Sequence, residues 1–158
     1  MAFKALLNGS YGQADESQQI VRCARIEFGP SADTGKGVVY TTTGVKKLFT
    51  IPANGVLLDA KARIIEAFAT GQAIIIGDTK QTDGLFTTAK LAPATAVTTG
   101  ILKANSVSDY FNATGFLGGY AVQAALAINL TQSATGATKT FTTGKGELFL
   151  VYACNGDD

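Results

Sequence analysis

The sequence predicts an all-β fold, an antiparallel β-sandwich of jelly-roll type with a flexible N-terminal arm. Three observations support this prediction. Short segments alternate apolar and polar side chains with a period of two, and glycine, proline or asparagine turn signals separate them. Small and β-forming residues dominate, with 24 Ala, 20 Thr and 18 Gly among 158 residues. No strong amphipathic helix alternates with the strands, as an α/β fold would require.

Residues 1–19 are interpreted as the arm and residues 20–158 as a single β-sandwich domain, a length that can bury a core. A polar stretch separates Phe3, Leu6 and Leu7 from the first predicted strand. Two interpretations remain open: an unstructured terminus, or an arm whose apolar tip docks on a neighbouring subunit. Phe3, Leu6 and Leu7 are therefore the candidate partner-binding residues.

The first two predicted strands cover 20–28 and 45–51. In the first, alternation divides the side chains between two faces. One face has Ile20, Ala24, Ile26 and Phe28, and the other has Val21, Cys23, Arg25 and Glu27. The second strand carries Val45, Phe49 and Ile51 in phase and ends at a Pro and an Asn-Gly turn.

The clearest alternation lies in 57–64 and predicts a strand with one buried and one wet face. The buried set is Leu58, Ala60, Ala62 and Ile64, and the wet set is Asp59, Lys61 and Arg63.

Further strands are predicted at 72–78, 118–130 and 147–154, with weaker ones near 97–102 and 107–111. Segment 118–130 has five apolar residues in phase, although its alanines also suit a helix. These residues are Tyr120, Val122, Ala124, Leu126 and Ile128. Segment 147–154 is apolar on both faces, which is typical of a central strand.

A glycine-rich stretch that ends in Lys36 resembles a phosphate-binding P-loop but fails its pattern. The motif needs four residues between its glycines and a hydroxyl after the lysine. Here five residues separate Gly29 from Gly35, and Gly37 follows the lysine. The same tetrapeptide, Thr-Gly-Lys-Gly, recurs at 143–146 directly before a predicted strand. Both copies therefore predict glycine turns that begin strands, with Lys36 as a solvent-facing charge.

Composition excludes several kinds of chemistry. The chain has no histidine, which rules out Ser-His-Asp catalysis and the usual zinc sites. Glu66 and Asp78 form the one candidate carboxylate pair, expected on adjacent strands and interpreted as solvated charges rather than catalysts. The loop 77–84 is interpreted as an ordinary polar loop rather than a calcium site, because it lacks EF-hand spacing. We expect no enzymatic activity, no cofactor and no metal.

Charge and hydropathy limit the partners. The net charge is only +1 and charged residues are 16% of the chain, so nucleic-acid binding is not expected. The first residues carry one lysine and a short apolar run, which does not predict a secretory signal. No apolar run approaches the roughly 18 residues of a membrane span.

Two cysteines and several aromatic residues leave alternatives open. Cys23 and Cys154 either form one disulfide or remain separate thiols, and the second interpretation is favoured. Cys23 is expected to be a buried structural cysteine. Four aromatic residues either fill the core and interfaces, the favoured interpretation, or form a platform for sugars or bases. These residues are Tyr40, Tyr110, Phe111 and Phe116.

Three segments occur in an order that resembles small virion proteins of tailed bacteriophages. They are KLFTIPANGVLLDAKARIIEAF at 47–68, AIIIGDTKQTDGLF at 73–86 and GELFLVYA at 146–153. The matching positions are Ile51, Pro52, Ala53, Gly55, Gly77, Asp78, Asp83, Gly84 and Tyr152. The match spans roughly half of the chain, and the order of the motifs carries it, since each motif alone also suits an ordinary hairpin.

This resemblance implies a non-enzymatic β-sandwich subunit on a capsid surface, of the decoration (cement) or head-fibre type. Its expected partners are the major capsid protein or other virion proteins, and it is expected to form a homo-oligomer, with a trimer favoured. The expected location is the virion surface, after synthesis in the host cytoplasm. No catalytic residue carries over, because the family pattern contains none. The alternative is a carbohydrate- or receptor-binding module of a virion fibre.

Overall fold

The computed structural model describes residues 19–35, 37–94, 102–103, 120–121, 124–134 and 140–155. These residues form an all-β architecture with a single helical turn, α1, at Thr88–Leu91. The described strands are β1 Gln19–Phe28, β2 Gly37–Val38, β3 Gly44–Ile51, β4 Val56–Glu66, β5 Gln72–Gly77, β6 Leu102–Lys103, β7 Tyr120–Ala121, β8 Leu126–Ala134 and β9 Lys145–Asn155. The all-β prediction is confirmed.

The larger sheet has β9 at its centre. Its order is β2-β1-β9-β4-β6, and β7 pairs with the other end of the β4 edge. β9 runs antiparallel to both β1 and β4 along most of its length. The prediction of a central strand at 147–154 is therefore confirmed. The one parallel pair among the described strands joins β1 to β2.

The smaller sheet has the order β3-β8-β5, and both of its pairs are antiparallel. Ile76 at the end of β5 also bridges to Phe86, which continues the pairing beyond the 77–84 loop.

The two sheets form a sandwich around one hydrophobic core. The larger sheet contributes inward side chains from β1, β4 and β9, and the smaller sheet contributes them from β3, β5 and β8. The fully buried ones include Phe28, Leu57, Ile64, Leu148 and Leu150 from the larger sheet, and Ile51, Ile74, Ile76, Ile128 and Leu130 from the smaller sheet. Rings add to the packing, since Phe28 stacks on Phe68 with centroids 6.3 Å apart. Burial of this apolar surface is the main force that holds the sheets together.

The predicted phase of β4 is wrong at its start. Leu57, not Leu58, is fully buried, and Leu58 is 38% exposed. The pairing with β9 shifts between Leu57 and Asp59, as a β-bulge requires. A bulge adds one residue to its strand, so the side chains before it change faces relative to the simple alternation. From Ala60 onward the predicted phase is confirmed.

A second bulge changes the alternation predicted for β3. Its pairing with β8 shifts between Lys47 and Phe49, and Leu48 rather than its neighbours is buried. Val45, predicted in phase with Phe49 and Ile51, is 61% exposed, whereas Ile51 is fully buried.

The single strand predicted at 118–130 is also wrong. Tyr120–Ala121 pairs with β4 in the larger sheet, whereas Leu126–Ala134 forms the centre of the smaller sheet. Ala124, between the two strands, is exposed. Of the weaker predicted strands, Leu102–Lys103 is seen as β6, and the segment 107–111 lies outside the described residues.

The two Thr-Gly-Lys-Gly copies flank the same end of the sandwich. Gly29 and Gly144 have φ angles of 125° and 118°, which favour glycine, and the Ser31 amide donates to the Gly144 carbonyl at 3.1 Å. β9 begins at Lys145, so Thr143 and Gly144 lead directly into a strand as predicted, whereas Lys145 and Gly146 already belong to β9. Lys36, predicted to face solvent, lies outside the described residues.

Candidate interaction surface

The outward face of the larger sheet carries rows of charged side chains across three strands. Pairing aligns Glu27 of β1 with Glu147 of β9, and Glu147 with Arg63 of β4. The next row contains Arg25, Phe149 and Lys61. Side chains in such rows are close neighbours, so opposite charges in them attract directly.

Glu147 is the centre of this charged end, and its side chain is 0% exposed. Arg25 donates its Nε–H to Oε1 of Glu147 at 2.9 Å, and Arg63 donates its Nε–H to Oε2 at 2.5 Å. A second Arg25 nitrogen also contacts Oε1. Burial raises the pKa of Glu147, but the hydrogen bonds from Arg63 and Arg25 outweigh it, so the pKa lies below its ordinary value.

Glu27 forms a second carboxylate site beside the first. Lys145 contacts Oε2 of Glu27 at 2.8 Å, and the Asp33 amide donates to the same oxygen at 3.3 Å. The hydrogen bond from Lys145 lowers the pKa of Glu27, and the same bond raises the pKa of Lys145. We call Arg25, Glu27, Arg63, Lys145 and Glu147 the carboxylate cluster. Its two acids are covered and its cations reach solvent.

Two further contacts border the carboxylate cluster. The Arg63 guanidinium lies 5.9 Å from the Phe149 ring centroid, within the range of a cation–π contact. Lys61 and Asp59 form an ion pair of 2.9 Å, which raises the pKa of Lys61.

The opposite end of the same face is apolar. Val21, Ala153 and Val56 are aligned in one row, and Cys23 and Val151 lie in the row beside it. Val21 is 62% exposed, and the β4 bulge turns Leu58 out to solvent. We call Val21, Cys23, Val56, Leu58 and Val151 the outer apolar patch. An exposed apolar surface with a polar border is typical of an interaction site.

The candidate residues Phe3, Leu6 and Leu7 lie outside the described residues. The cysteines are both free thiols, as the favoured interpretation predicted. Cys154 is buried, whereas Cys23 is exposed, and its predicted burial is wrong because it lies on the outward face.

The candidate carboxylate pair does not form. Glu66 ends β4 in the larger sheet and Asp78 follows β5 in the smaller sheet, so the expected adjacency of their strands is wrong. Oδ1 of Asp78 accepts hydrogen bonds from the amides of Lys80 and Gln81 at 2.7 and 2.6 Å. This buried carboxylate therefore closes its own turn. Across the described ranges, no three His, Cys, Asp or Glu side chains lie close enough together to hold a metal.

One of the four aromatic residues considered for a platform that binds sugars or bases is buried. Tyr40 is 3% exposed and burial raises the pKa of its hydroxyl, so it fills the core. Tyr110, Phe111 and Phe116 lie outside the described residues.

The role of Glu147 was missed by sequence reasoning, which treated its segment as apolar on both faces. A single acid in an otherwise apolar strand was the available signal, since a buried carboxylate requires a cation or donors nearby. Its partners are 122 and 84 residues away in the chain, so local patterns do not identify them.

No helix in the described part of the chain is long and apolar enough to cross a membrane.

The fold is similar to chains of two solved phage capsids. One belongs to the acid-stable capsid structure of Helicobacter pylori bacteriophage KHP30, with 10% sequence identity, a TM-score of 0.51, and coverage of 87% of this chain and 92% of that chain. The other belongs to the capsid asymmetric unit of cyanophage Pam1, with 14% identity, a TM-score of 0.52, and coverage of 91% and 90%. No protein-family model and no curated protein matches the sequence. At these identities the likeness establishes a shared fold.

Proposed function

We propose that this chain is a non-enzymatic structural protein of a phage capsid. It binds the outer shell as a decoration (cement) protein, forms a homo-oligomer, with a trimer favoured, and stabilises the shell through contacts between subunits.

The observation that carries the proposal is the similarity to chains of two phage capsid structures along nearly the whole length of both partners. The match spans about nine tenths of this chain and of each capsid chain, so it concerns the fold as a whole rather than one part of it. The motif order at 47–68, 73–86 and 146–153 supports the same class independently, since it rests on the sequence alone.

The described polar groups favour a structural role over catalysis. Glu147 and Glu27 are held in ion pairs, and Asp78 closes a turn, so these acids already have partners within the fold. The exposed surface of the larger sheet offers apolar and cationic contacts instead. Repetition of such contacts over a symmetric shell multiplies a modest affinity per copy.

The decisive experiment is composition of purified particles. We expect the chain to sediment with particles in a fixed ratio to the major capsid protein, and particles that lack it to disrupt at a lower temperature. Its absence from purified particles would overturn the proposal. Saturable binding to a glycan array, together with absence from particles, would support the fibre or receptor-binding alternative.

A second experiment tests the arm in the assembled particle. Deletion of residues 2–12 is expected to reduce particle occupancy, because Phe3, Leu6 and Leu7 would no longer bury their side chains on the shell or a neighbour. The matched control replaces Asn8 and Ser10 with alanine in the full chain and should leave occupancy unchanged. Full occupancy after the deletion would exclude the arm from shell binding.

A further inference from the structure

The outer apolar patch lies where the N-terminal segment enters the fold. Gln19 begins β1 and pairs with Asn155 at the end of β9. Val21 is two residues further along β1, about 7 Å away at the rise of an extended strand. The chain preceding Gln19 therefore starts beside the patch.

The patch is bounded on one side by polar groups. The ion pair between Asp59 and Lys61 follows Leu58 along β4, and the row of Arg25 and Phe149 lies next to that of Cys23. On the other side, the row of Val21 and Val56 lies next to the ends of the strands. Gln19, where the N-terminal segment joins β1, is at this end. An occupant thus reaches the apolar surface most directly from the side where the N-terminal segment is attached.

The N-terminal segment has the composition and the reach to be that occupant. Residues 2–7, AFKALL, contain one charge and three large apolar side chains. Residues 8–18, which join them to Gln19, include two glycines and are mainly polar, and they span up to about 36 Å when extended. A short tether holds its end at an effective concentration of about 1 mM, so weak apolar contacts are sufficient.

We propose that residues 2–7 fold back onto the outer apolar patch of their own subunit. In the isolated subunit, Phe3, Leu6 and Leu7 cover Val21, Leu58 and the Cys23 thiol. This inference goes beyond the proposed function, because it concerns the isolated subunit and needs no capsid.

Cys23 reports directly on this contact. The chain has two cysteines, and Cys154 is 1% exposed, so Cys23 is the thiol that reagents reach in the folded protein. In the purified full chain, Cys23 should react with a maleimide about tenfold more slowly than in a chain lacking residues 2–7, as expected for millimolar effective concentration and a contact of about 0.1 mM affinity. A chain with Phe3→Ser, Leu6→Ser and Leu7→Ser together should give the same fast rate as the deletion. The Cys23→Ser chain measures background labelling.

Equal labelling rates in the full, deleted and serine-substituted chains would overturn the proposal. Circular dichroism of each chain confirms that the sandwich is retained. Because the assay uses the isolated subunit, its failure leaves the capsid proposal untouched, and absence from particles leaves the fold-back untouched.

Cross-linking identifies which subunit supplies the segment. A Leu6→Cys variant should form an intrachain disulfide with Cys23 under mild oxidation, at a rate independent of protein concentration. The control carries Leu6→Cys, Cys23→Ser and Lys47→Cys, which moves the second thiol to an exposed position on the smaller sheet, and should cross-link much more slowly. Concentration-dependent disulfide dimers would overturn the fold-back and assign the patch to the segment of a second copy.

Discussion

Arg63 of β4 donates its Nε–H to Oε2 of Glu147 on the neighbouring strand β9, at 2.5 Å, while the glutamate side chain is completely shielded from solvent. Arg25 approaches the other carboxylate oxygen from β1. One acid thus joins the three central strands of the larger sheet on their outward face. The arrangement satisfies a charge that would otherwise be costly to bury.

Glu147→Gln should lower the free energy of unfolding by roughly 1–3 kcal/mol, because charged hydrogen bonds are replaced by weaker ones. The expected loss of stability is smaller than for a fully buried ion pair, since the side chains of Arg25 and Arg63 are 58% and 38% exposed and can be hydrated. Urea denaturation measures the difference.

Asp59→Asn on the same face is the matched control. Its ion pair with Lys61 is exposed on both sides, so its loss should change stability far less. Equal losses in the two variants would contradict a special role for Glu147.

Stability should fall at acid pH through the two glutamates. Their folded pKa values lie below the ordinary value, Glu27 through its hydrogen bond from Lys145, and Glu147 because hydrogen bonds from Arg63 and Arg25 outweigh burial. The unfolded chain therefore binds more protons as pH falls, and stability rises with pH in that window. The contribution is complete above about pH 4.5, near the unfolded pKa of glutamate, and is lost as pH falls through the folded values.

A thermal unfolding series over pH measures this dependence. With no histidine in the chain, we expect a plateau between about pH 5.5 and 7.5. Lys145, whose pKa is raised by Glu27, contributes stability that is present below about pH 10.4 and lost as pH rises through its folded value. In the Glu147→Gln chain the acid-side slope should become shallower. An unchanged slope would show that other carboxylates control acid unfolding.

Leu57 and Leu58 test the bulge in β4. Leu57→Ala removes a fully buried side chain and should cost about 2–4 kcal/mol. Leu58→Ala removes one that is 38% exposed and should change stability by about 0.5 kcal/mol. Chemical denaturation of both variants distinguishes them, and the reverse order of losses would mean that the bulge is misplaced.

These two leucines also show which features of the fold the sequence predicts and which it does not. Period-two alternation located β1, β3, β4, β5 and β9, because each strand buries one face or both and the pattern records that burial. A bulge inserts one residue without changing composition, so two adjacent leucines carry no sign of which one is buried. The alternation at 118–130 likewise continues across two strands of different sheets, β7 and β8, and the sequence carries no mark of the break between them.

The surface was less predictable than the core. Alternation placed Cys23, Arg25 and Glu27 on one face of β1, which the structure confirms. It did not give their exposure, since Cys23 is exposed rather than buried and Glu27 is buried against Lys145. Ion pairs of this kind join residues from opposite ends of the chain, so they depend on strand order, which the sequence pattern alone does not determine.

Two glycines at the start of β9 should tolerate alanine poorly. A Cβ on Gly144 would overlap the Phe68 ring, and its φ of 118° also disfavours any other residue. A Cβ on Gly146 would overlap the Phe28 ring, with no unusual φ. We expect Gly144→Ala to cost about 2–4 kcal/mol and Gly146→Ala about 1–3 kcal/mol, by chemical denaturation.

Two other glycines distinguish the cost of an unfavourable backbone conformation from the cost of overlap with a neighbouring ring. Gly44 has a φ of 132° with open space around its Cα, so Gly44→Ala carries the conformational cost alone, about 1 kcal/mol. Gly35 has neither constraint, and Gly35→Ala should be neutral or stabilise the fold by up to about 1 kcal/mol through the entropy of the unfolded chain. If the loss for Gly144→Ala equalled that for Gly44→Ala, the Phe68 ring would be free to move aside. A loss close to the sum for Gly44→Ala and Gly146→Ala would instead show that backbone and packing constraints act together at this turn.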